Sequence, residues 1–422
     1  EGGTNQRVTY ICREGENVYK PKFTIWGFRY ARVEADIDLS EAEFTAIAVY
    51  SDMAEIGSFS CGNPLVHRLF QNSLWSMKSN FCDVPTDCPT RERAAWTGDM
   101  GVFIETGLYL MDCLPVVRKW LAECRMAQKP DGKIANIAPR NNNPTFFSEL
   151  LAGSVGWGDA CILVPYALYR ASGDVHILEE NYEMMCAWYA FLEERAKKNP
   201  LNPVKRLKRN PYRRFTIETG IDYGEWCEPD VESTSTMRTP QGKVATAYFA
   251  HSGRLLSEIA GILGKEADAK RYAALAENGK KAYRFLAVED GMIHSDRQAD
   301  YVRAISFDLL NGKEVQRAAD DLASLVAKCG DHLNTGFLST PQLCPVLAEH
   351  GHMDTAYRLL LQETMPGWLY EVKKGATTIW ENWDGIDEQG HVKASLNHYS
   401  YGAVCGWLFG GVCGIRMEGK TL

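Results

Sequence analysis

The sequence predicts a mainly α-helical protein, an (α/α)6 barrel of about six helical hairpins, with a short β segment ahead of it. Three observations lead there. From Asn63 onward apolar residues recur at helical spacing in about twelve stretches. Neighbouring stretches are joined by brief turns such as Ser172-Gly173-Asp174, Gly264-Lys265 and Gly351-His352, which suit antiparallel helix pairs. No signature repeats at a fixed period, which argues against a helical solenoid.

In chain order, the first 59 residues read as strands at 8–12, 23–25, 28–33 and 44–50, where β-branched and aromatic residues sit between polar turns. So few strands do not make an independent sheet domain. Residues 1–59 are therefore read as the C-terminal part of a β-sandwich domain, or as a small β appendage. Residues 60–422 are read as the barrel. Asn63 is placed to cap the first helix and Pro64 suits its first turn, with Leu65, Leu69, Leu74 and Met77 as its apolar face. Further helices are expected at 98–111, 115–127, 159–172, 175–197, 243–263, 266–285, 297–309, 314–328, 339–350, 353–364 and 395–410.

Composition narrows the function. A hydrophobic fraction of 45% and a charged fraction of 24% describe a globular chain of 422 residues able to bury a large core. A net charge of −8 with interspersed signs disfavours nucleic acid or an anionic membrane as the main partner, so a neutral substrate fits better. The basic run at 205–214 (KRLKRNPYRR) is read as a solvated connection. Eleven Trp and nineteen Tyr provide faces on which sugar C–H surfaces stack, although such residues also fill cores. Thirteen Cys without a CxxC pair read mostly as reduced, buried thiols, which leans towards a cytoplasmic compartment. With no Met at position 1 and no leader pattern, the chain reads as a piece of a longer one. A homodimer is one assembly compatible with it.

Chemistry-bearing residues gather in the loops. The segment 83–99 (DVPTDCPTRERAAWTGD) holds several carboxylates, two guanidiniums and an indole, a cluster costly to bury unless its members pair with one another or with a ligand. Capping by Asp87 and Asp99 with bridges from Arg91 and Arg93 is the plain structural reading, and Thr97-Gly98-Asp99 does look like a helix start. The segment 375–384 (GATTIWENWD) sets Glu381 between two indoles, a desolvated setting that tunes a carboxyl as acid or base. Glycoside hydrolysis needs two carboxyls flanking one bond, and Glu92 and Glu381 are the natural pair. No metal or other cofactor is expected: His350 and His352 lack the one-face spacing of a ligand pair.

At these residues the sequence resembles glycoside hydrolase family 78, the α-L-rhamnosidases. Residues 83–99 resemble that family's DVPTDCPxRERxGWTGD loop, with Ala95 at the usual Gly. Residues 375–384 and 395–404 are similar to its GATTIWExWD and SxNHYxYGxV stretches, and 156–160 and 224–226 to two more, Glu225 standing where Asp is usual. The resemblance covers about residues 19–411. It implies an (α/α)6 barrel without a cofactor that removes terminal α-L-rhamnose from glycosides with inversion, Glu92 as general acid and Glu381 as general base. Asp87 and Asp99 would hold sugar hydroxyls, with Arg91 and His398 nearby and Asp159 and Glu225 also in contact. Trp96, Trp157, Trp226, Trp380 and Trp383 would line the pocket. Another (α/α)6 glycosidase, a polysaccharide lyase or a non-catalytic carbohydrate-binding protein remain the alternatives. Inversion carries a geometric expectation, carboxyls roughly 6.5 to 9.5 Å apart, whereas a separation near about 5 Å would instead imply retention. Because successive side chains diverge, Arg91 and Arg93 are expected to turn to other acids while Glu92 faces the pocket.

Overall fold

The computed structural model describes residues 6–140, 151–198 and 210–417. Part of the basic run at 205–214 lies outside them. Helices dominate, and the chain alternates between an outer and an inner ring. The outer ring comprises α1 (Pro64–Asn80), α3 (Leu114–Ala127), α5 (His176–Lys197), α7 (Glu266–Ala287), α9 (Lys313–Lys328) and α11 (Met353–Leu360), followed by α12 (Trp368–Lys373). Between them run the inner helices α2 (Thr97–Leu110), α4 (Ala160–Ser172), α6 (Gly242–Ile262), α8 (Gln298–Ser306), α10 (Thr340–Glu349) and α13 (Val404–Trp407). A 3₁₀ turn, Ser400–Ala403, leads into α13 and a π turn, Leu408–Val412, leaves it.

The ring closes where α13 packs between α10 and α2, and where α12 packs on α1. Burial separates the two layers. On the outer helix α9 only the stripe Ala318, Ala319, Leu322 and Val326 is buried, the one-sided pattern of a helix facing solvent. Inner helix α6 buries residues around most of its circumference, from Val244 to Ala260. All six inner helices also contribute to the wall of a cavity of about 580 Å³ on the barrel axis, through residues such as Glu105, Leu163, Tyr248, Ser306, Gln342 and Trp407.

Local signals set the helix ends. Asn63 caps α1 as expected, its Oδ1 accepting the amides of Leu65 at 2.9 Å and Val66 at 3.3 Å. Gly173 ends α4 at φ +71°, in the left-handed conformation that glycine adopts without penalty, and its N–H returns to the Tyr169 carbonyl. The predicted helices fall on observed ones with ends shifted by a few residues. Two differences stand out. The stretch predicted at 395–410 is helical only from Ser400 and in short mixed turns, because the backbone of 395–398 bonds the Glu381 loop instead, at Glu381 and Ile379. The short helix α12 was not predicted.

The N-terminal segment departs further. Residues 8–50 form no strand, and Phe23 is 99% exposed. β-branched and aromatic residues favour a pleated surface, but a strand exists only when a second strand supplies its hydrogen bonds. The ladders among the described residues are two short hairpins elsewhere, Phe81–Cys82 with Val84–Pro85 and Val288–Glu289 with Met292–Ile293. Gly27 lies against Pro89 and Thr90 and the Tyr50 ring meets Lys78 Nζ, but it is from Ser51, whose amide donates to the Phe81 carbonyl, that the segment docks, Met53 and Phe59 joining the core. The thirteen cysteines are all free, and those at 88, 113, 124, 161, 227, 344 and 405 are buried.

Candidate active site

At the end of the barrel where the inner helices begin, a cavity of about 60 Å³ is lined by Asp87, Arg91, Glu92, Trp96, Asp99, Trp157, Tyr223, Trp226, Phe337, Glu381 and His398. The larger axial cavity lies beyond it, towards the C-terminal halves of the inner helices. We place the chemistry in the smaller one, because only there do four carboxyls, an imidazole and several indoles converge.

Each lining residue is delivered by a loop or first turn that leads into an inner helix. Trp96 and Asp99 stand at the start of α2, Trp157 just before α4, Phe337 just before α10, and His398 just before the turn into α13. Glycine makes this crowding feasible at two positions. A Cβ on Gly98 would lie 2.5 Å from the Trp157 ring, and one on Gly336 would lie 2.3 Å from the Trp226 carbonyl. The loops are tied from below by a buried ion pair. Arg195 donates to both carboxylate oxygens of Asp222, at 3.0 and 2.9 Å, and to the Gly153 carbonyl, while Asp222 also accepts the Val155 amide.

Arg91 is the hinge of the electrostatics. Its Nη2 stands 2.9 Å from Glu92 Oε1 and 2.6 Å from Glu381 Oε2. It therefore does not turn away from Glu92 as the sequence suggested; only Arg93 does, its Nε donating to the Pro89 carbonyl. The two contacts also place those nearest oxygens no more than about 5.5 Å apart, shorter than the 6.5 to 9.5 Å expected of carboxyls flanking a sugar and a water. The physical reason is that one NH₂ group attracts both carboxylates when nothing separates them. The same guanidinium spans the cavity, whose 60 Å³ is below the roughly 300 Å³ usual for ligand pockets.

The remaining bonds orient the carboxyls. Glu92 Oε2 accepts the Trp96 indole N–H at 2.9 Å. Glu381 Oε2 also accepts the Ser395 amide at 3.0 Å, and the Glu381 amide returns to the Ser395 carbonyl. Asp87 Oδ1 accepts the Ala94 amide and its Oδ2 meets the Cys88 thiol. Asp99 Oδ1 accepts from Ser400 Oγ at 3.2 Å. His398 Nδ1 accepts the Ser400 amide, which leaves the proton on Nε2, 3.7 Å from Asp99 Oδ2.

Burial divides these groups by charge. It pushes Asp87 up to about 7, helped by the Glu92 charge and opposed by the Cys88 thiol and by amides. It pushes Asp99 well above the usual carboxylate range, with the charges of Asp87, Glu381 and Glu92 adding to the rise. It lowers His398 to about 4, against the attraction of Glu381. Protonated Asp99 and neutral His398 thus leave Arg91 as the cation facing Glu92 and Glu381.

The other residues singled out in sequence stand behind the wall. Asp159 is fully buried and holds the Gly156 amide, the Trp188 indole N–H and the Ser252 hydroxyl, so its oxygens are occupied by the fold. Glu225 pairs with buried Arg303 at 3.3 Å beneath Trp226. Trp380 packs edge-on against Tyr370. Trp383 stacks on Tyr401 at 3.9 Å, which in turn meets the edge of Phe337. Consecutive residues of a loop diverge, so only some of each motif can face the cavity. Two lining residues escaped the sequence reading. Tyr223 meets Trp96, Trp157 and Trp226 with ring centroids 5.8, 4.7 and 5.4 Å away, and its position two before Glu225 was the available signal. Phe337 carried none.

Six helical hairpins closed into a ring, with carboxyls and indoles converging at one mouth, define a carbohydrate-active barrel of the six-hairpin class. The chain belongs to the bacterial α-L-rhamnosidase family, residues 54–412 matching the model of its six-hairpin glycosidase domain. It is 38% identical over 415 residues to an α-L-rhamnosidase of Streptomyces avermitilis, a match covering 96% of this chain and 37% of that protein. A Formosa agariphila α-L-rhamnosidase is 34% identical over 420 residues, with 96% and 43% covered. The crystal structure of Streptomyces avermitilis α-L-rhamnosidase complexed with L-rhamnose superposes with a TM-score of 0.76 at 36% identity, over 86% of this chain and 33% of that one. The chain thus spans about two fifths of the length of these curated relatives.

Proposed function

We propose that this barrel hydrolyses terminal α-L-rhamnosides with inversion, Glu92 protonating the glycosidic oxygen and Glu381 drawing a proton from the attacking water. The observation that carries the reading is the meeting of Glu92 and Glu381, 289 positions apart in the chain, on one guanidinium in one indole-walled cavity. Membership of a family named for this activity supports it.

In the reaction the bond from the anomeric carbon to the aglycone oxygen breaks as that oxygen takes the Glu92 proton. Water adds to the opposite face and gives its proton to Glu381. Seating sugar and water requires the Arg91 guanidinium to leave the line between the carboxyls, which widens their separation and the cavity together. Asp87 and protonated Asp99 offer hydroxyl contacts of opposite character, one mainly accepting and one able to donate. Trp96, Trp157, Trp226, Tyr223 and Phe337 supply the apolar faces against which a deoxy sugar and its methyl group pack.

Residues 1–59 are proposed as the C-terminal part of a β-sandwich domain or a small β appendage, whose last residues, Met53 and Phe59 among them, dock into the barrel core. The β-prone pattern of 8–50 supports this, as does the start of the family match at residue 54.

The test is proton NMR of the first-formed sugar from an aryl α-L-rhamnoside. β-L-rhamnose appearing first is expected. α-L-rhamnose first would replace inversion by retention, and hydrolysis of a glucoside or cleavage of an unsaturated uronide instead would replace the substrate.

A further inference from the structure

Glu371 is a buried carboxyl that takes no part in the chemistry above, set behind the loop that carries Glu381. It lies on α12 and is 7% exposed. Its Oε2 accepts the Trp380 amide at 3.0 Å, one residue from Glu381. Its Oε1 is buried and meets no donor among the described residues.

Three successive amides of this loop are anchored on three different elements. Ile379 donates to Ser76 Oγ on α1 at 2.8 Å, Trp380 to Glu371 on α12, and Glu381 to the Ser395 carbonyl. The middle anchor is the one that ionises.

Among the described residues its surroundings carry no charge to meet an ionised carboxylate. The buried face of α1 offers Asn72, Ser73 and Ser76, while the one buried cation of that helix, Lys78, pairs with Glu55. From α13 comes Cys405, a thiol that burial pushes up to about 12. From 376–380 come backbone and the Trp380 ring. On α12 itself Lys373 turns to Glu363, Lys374 to the Asp387 carbonyl and Tyr370 to the Ile386 carbonyl. Asn72 shows the same shortage of donors, since its Nδ2 donates to the Ala376 carbonyl while its Oδ1 is buried without a partner. A proton on Glu371 leaves its unpartnered Oε1 uncharged in this wall.

We propose that Glu371 works as a neutral carboxylic acid that positions the Glu381 loop through the Trp380 amide, and that its ionisation, a charge no cation meets in this buried site, draws the carboxylate towards water, shifts the loop and so sets an alkaline limit to turnover. The proposal rests on reading Glu381 as the base. Burial pushes Glu371 up to about 8, opposed by the Trp380 amide alone. Because this value is raised, the favourable neutral state is complete at low pH and is lost as pH rises through about 8.

The test compares the intact chain with Glu371→Gln and Glu371→Ala from pH 6 to 10. Gln keeps an uncharged acceptor for the Trp380 amide at all pH values. On an aryl α-L-rhamnoside, wild-type kcat is expected to fall about tenfold one unit above its alkaline transition, while Glu371→Gln keeps neutral-pH kcat within about threefold and moves that limb up by about one unit or more. Glu371→Ala should lower kcat with KM changed less than about threefold, because the anchor serves the base and not the sugar contacts. Coincident alkaline limbs in wild type and Glu371→Gln would overturn the proposal.

Tryptophan fluorescence read over the same pH range keeps the two readings separate. A transition near pH 8 present in wild type and missing in Glu371→Gln supports the anchor even if no rhamnoside is cleaved, in which case the functional reading fails alone. Identical fluorescence titrations in the two proteins would sink the anchor whatever the activity.

Discussion

Arg91 donates through Nη2 to Oε2 of Glu381 at 2.6 Å, joining residues 290 positions apart. The bond explains why a loop rich in charges can be partly buried here. It also sets one cation between the two carboxylates. Replacing Arg91 by Lys keeps the charge but not the geometry that reaches both carboxylates. Arg91→Lys is expected to lower kcat/KM for an aryl rhamnoside by about 10 to 100-fold without unfolding the protein, and a variant with wild-type kinetics would show the bridge to be incidental.

The acid and base assignments predict different dependence on the leaving group. Glu92→Gln should lose about 10² to 10⁴-fold in kcat on an alkyl rhamnoside and much less on a nitrophenyl one, because a good leaving group needs no proton. Glu381→Gln should lose activity on both to similar extents. A series of aglycones of graded acidity checks this, and equal losses for both variants would reverse or remove the assignments.

Tyr223 is the ring on which three indoles of the cavity converge. Tyr223→Phe removes only the hydroxyl that accepts from Asn136 Nδ2, at a cost of about 1 kcal/mol. Tyr223→Ala empties the centre of the wall and should cost about 3 to 5 kcal/mol, with a raised KM. Urea unfolding together with KM separates the two variants.

The Arg195–Asp222 pair, with side chains 5% and 2% exposed, holds the loops at 153–155 and 219–222 together. Asp222→Ala strands a buried guanidinium and is expected to destabilise by about 3 to 5 kcal/mol. Calorimetry reads the loss. An unchanged Tm would mean that the loops are held by other contacts.

Opposite signs of pH dependence meet in the site. Asp87, raised to about 7, contributes stability that is complete below the ordinary aspartate value and is lost as pH rises through about 7. Asp87→Asn removes that loss, so its Tm relative to wild type should climb between pH 5 and pH 8. His398, lowered to about 4, acts the other way: its neutral form is favoured at neutral pH, and stability falls as acidification passes from the ordinary histidine value towards about 4. A flat Tm difference for Asp87→Asn across that range would contradict the burial argument.

Much of the architecture was legible in the sequence because helix formation is governed by local terms. Asn63 and Pro64 announce α1, Gly173 ends α4, and the stripe on α9 declares which face turns inward. The loops at 83–99 and 375–384 were legible too, since carboxylates and indoles crowded together have few stable arrangements other than a site. Which members of those loops face the cavity was not legible. Asp159, Glu225, Trp380 and Trp383 share motifs with lining residues, yet Asp159 is turned to the Trp188 indole, Glu225 to Arg303, and the Trp380 and Trp383 rings to Tyr370 and Tyr401.

By itself, then, the sequence determined the helices, their pairing through short turns, and the two loops that carry Glu92 and Glu381. Tertiary structure alone decided that Arg91 spans those two carboxylates, that Tyr223 and Phe337 complete the wall, and that residues 8–50 pair with no partner strand. The reason is range: caps and hydrophobic periodicity act over a few residues, whereas the direction of a side chain in a loop and the existence of a strand depend on groups hundreds of positions away.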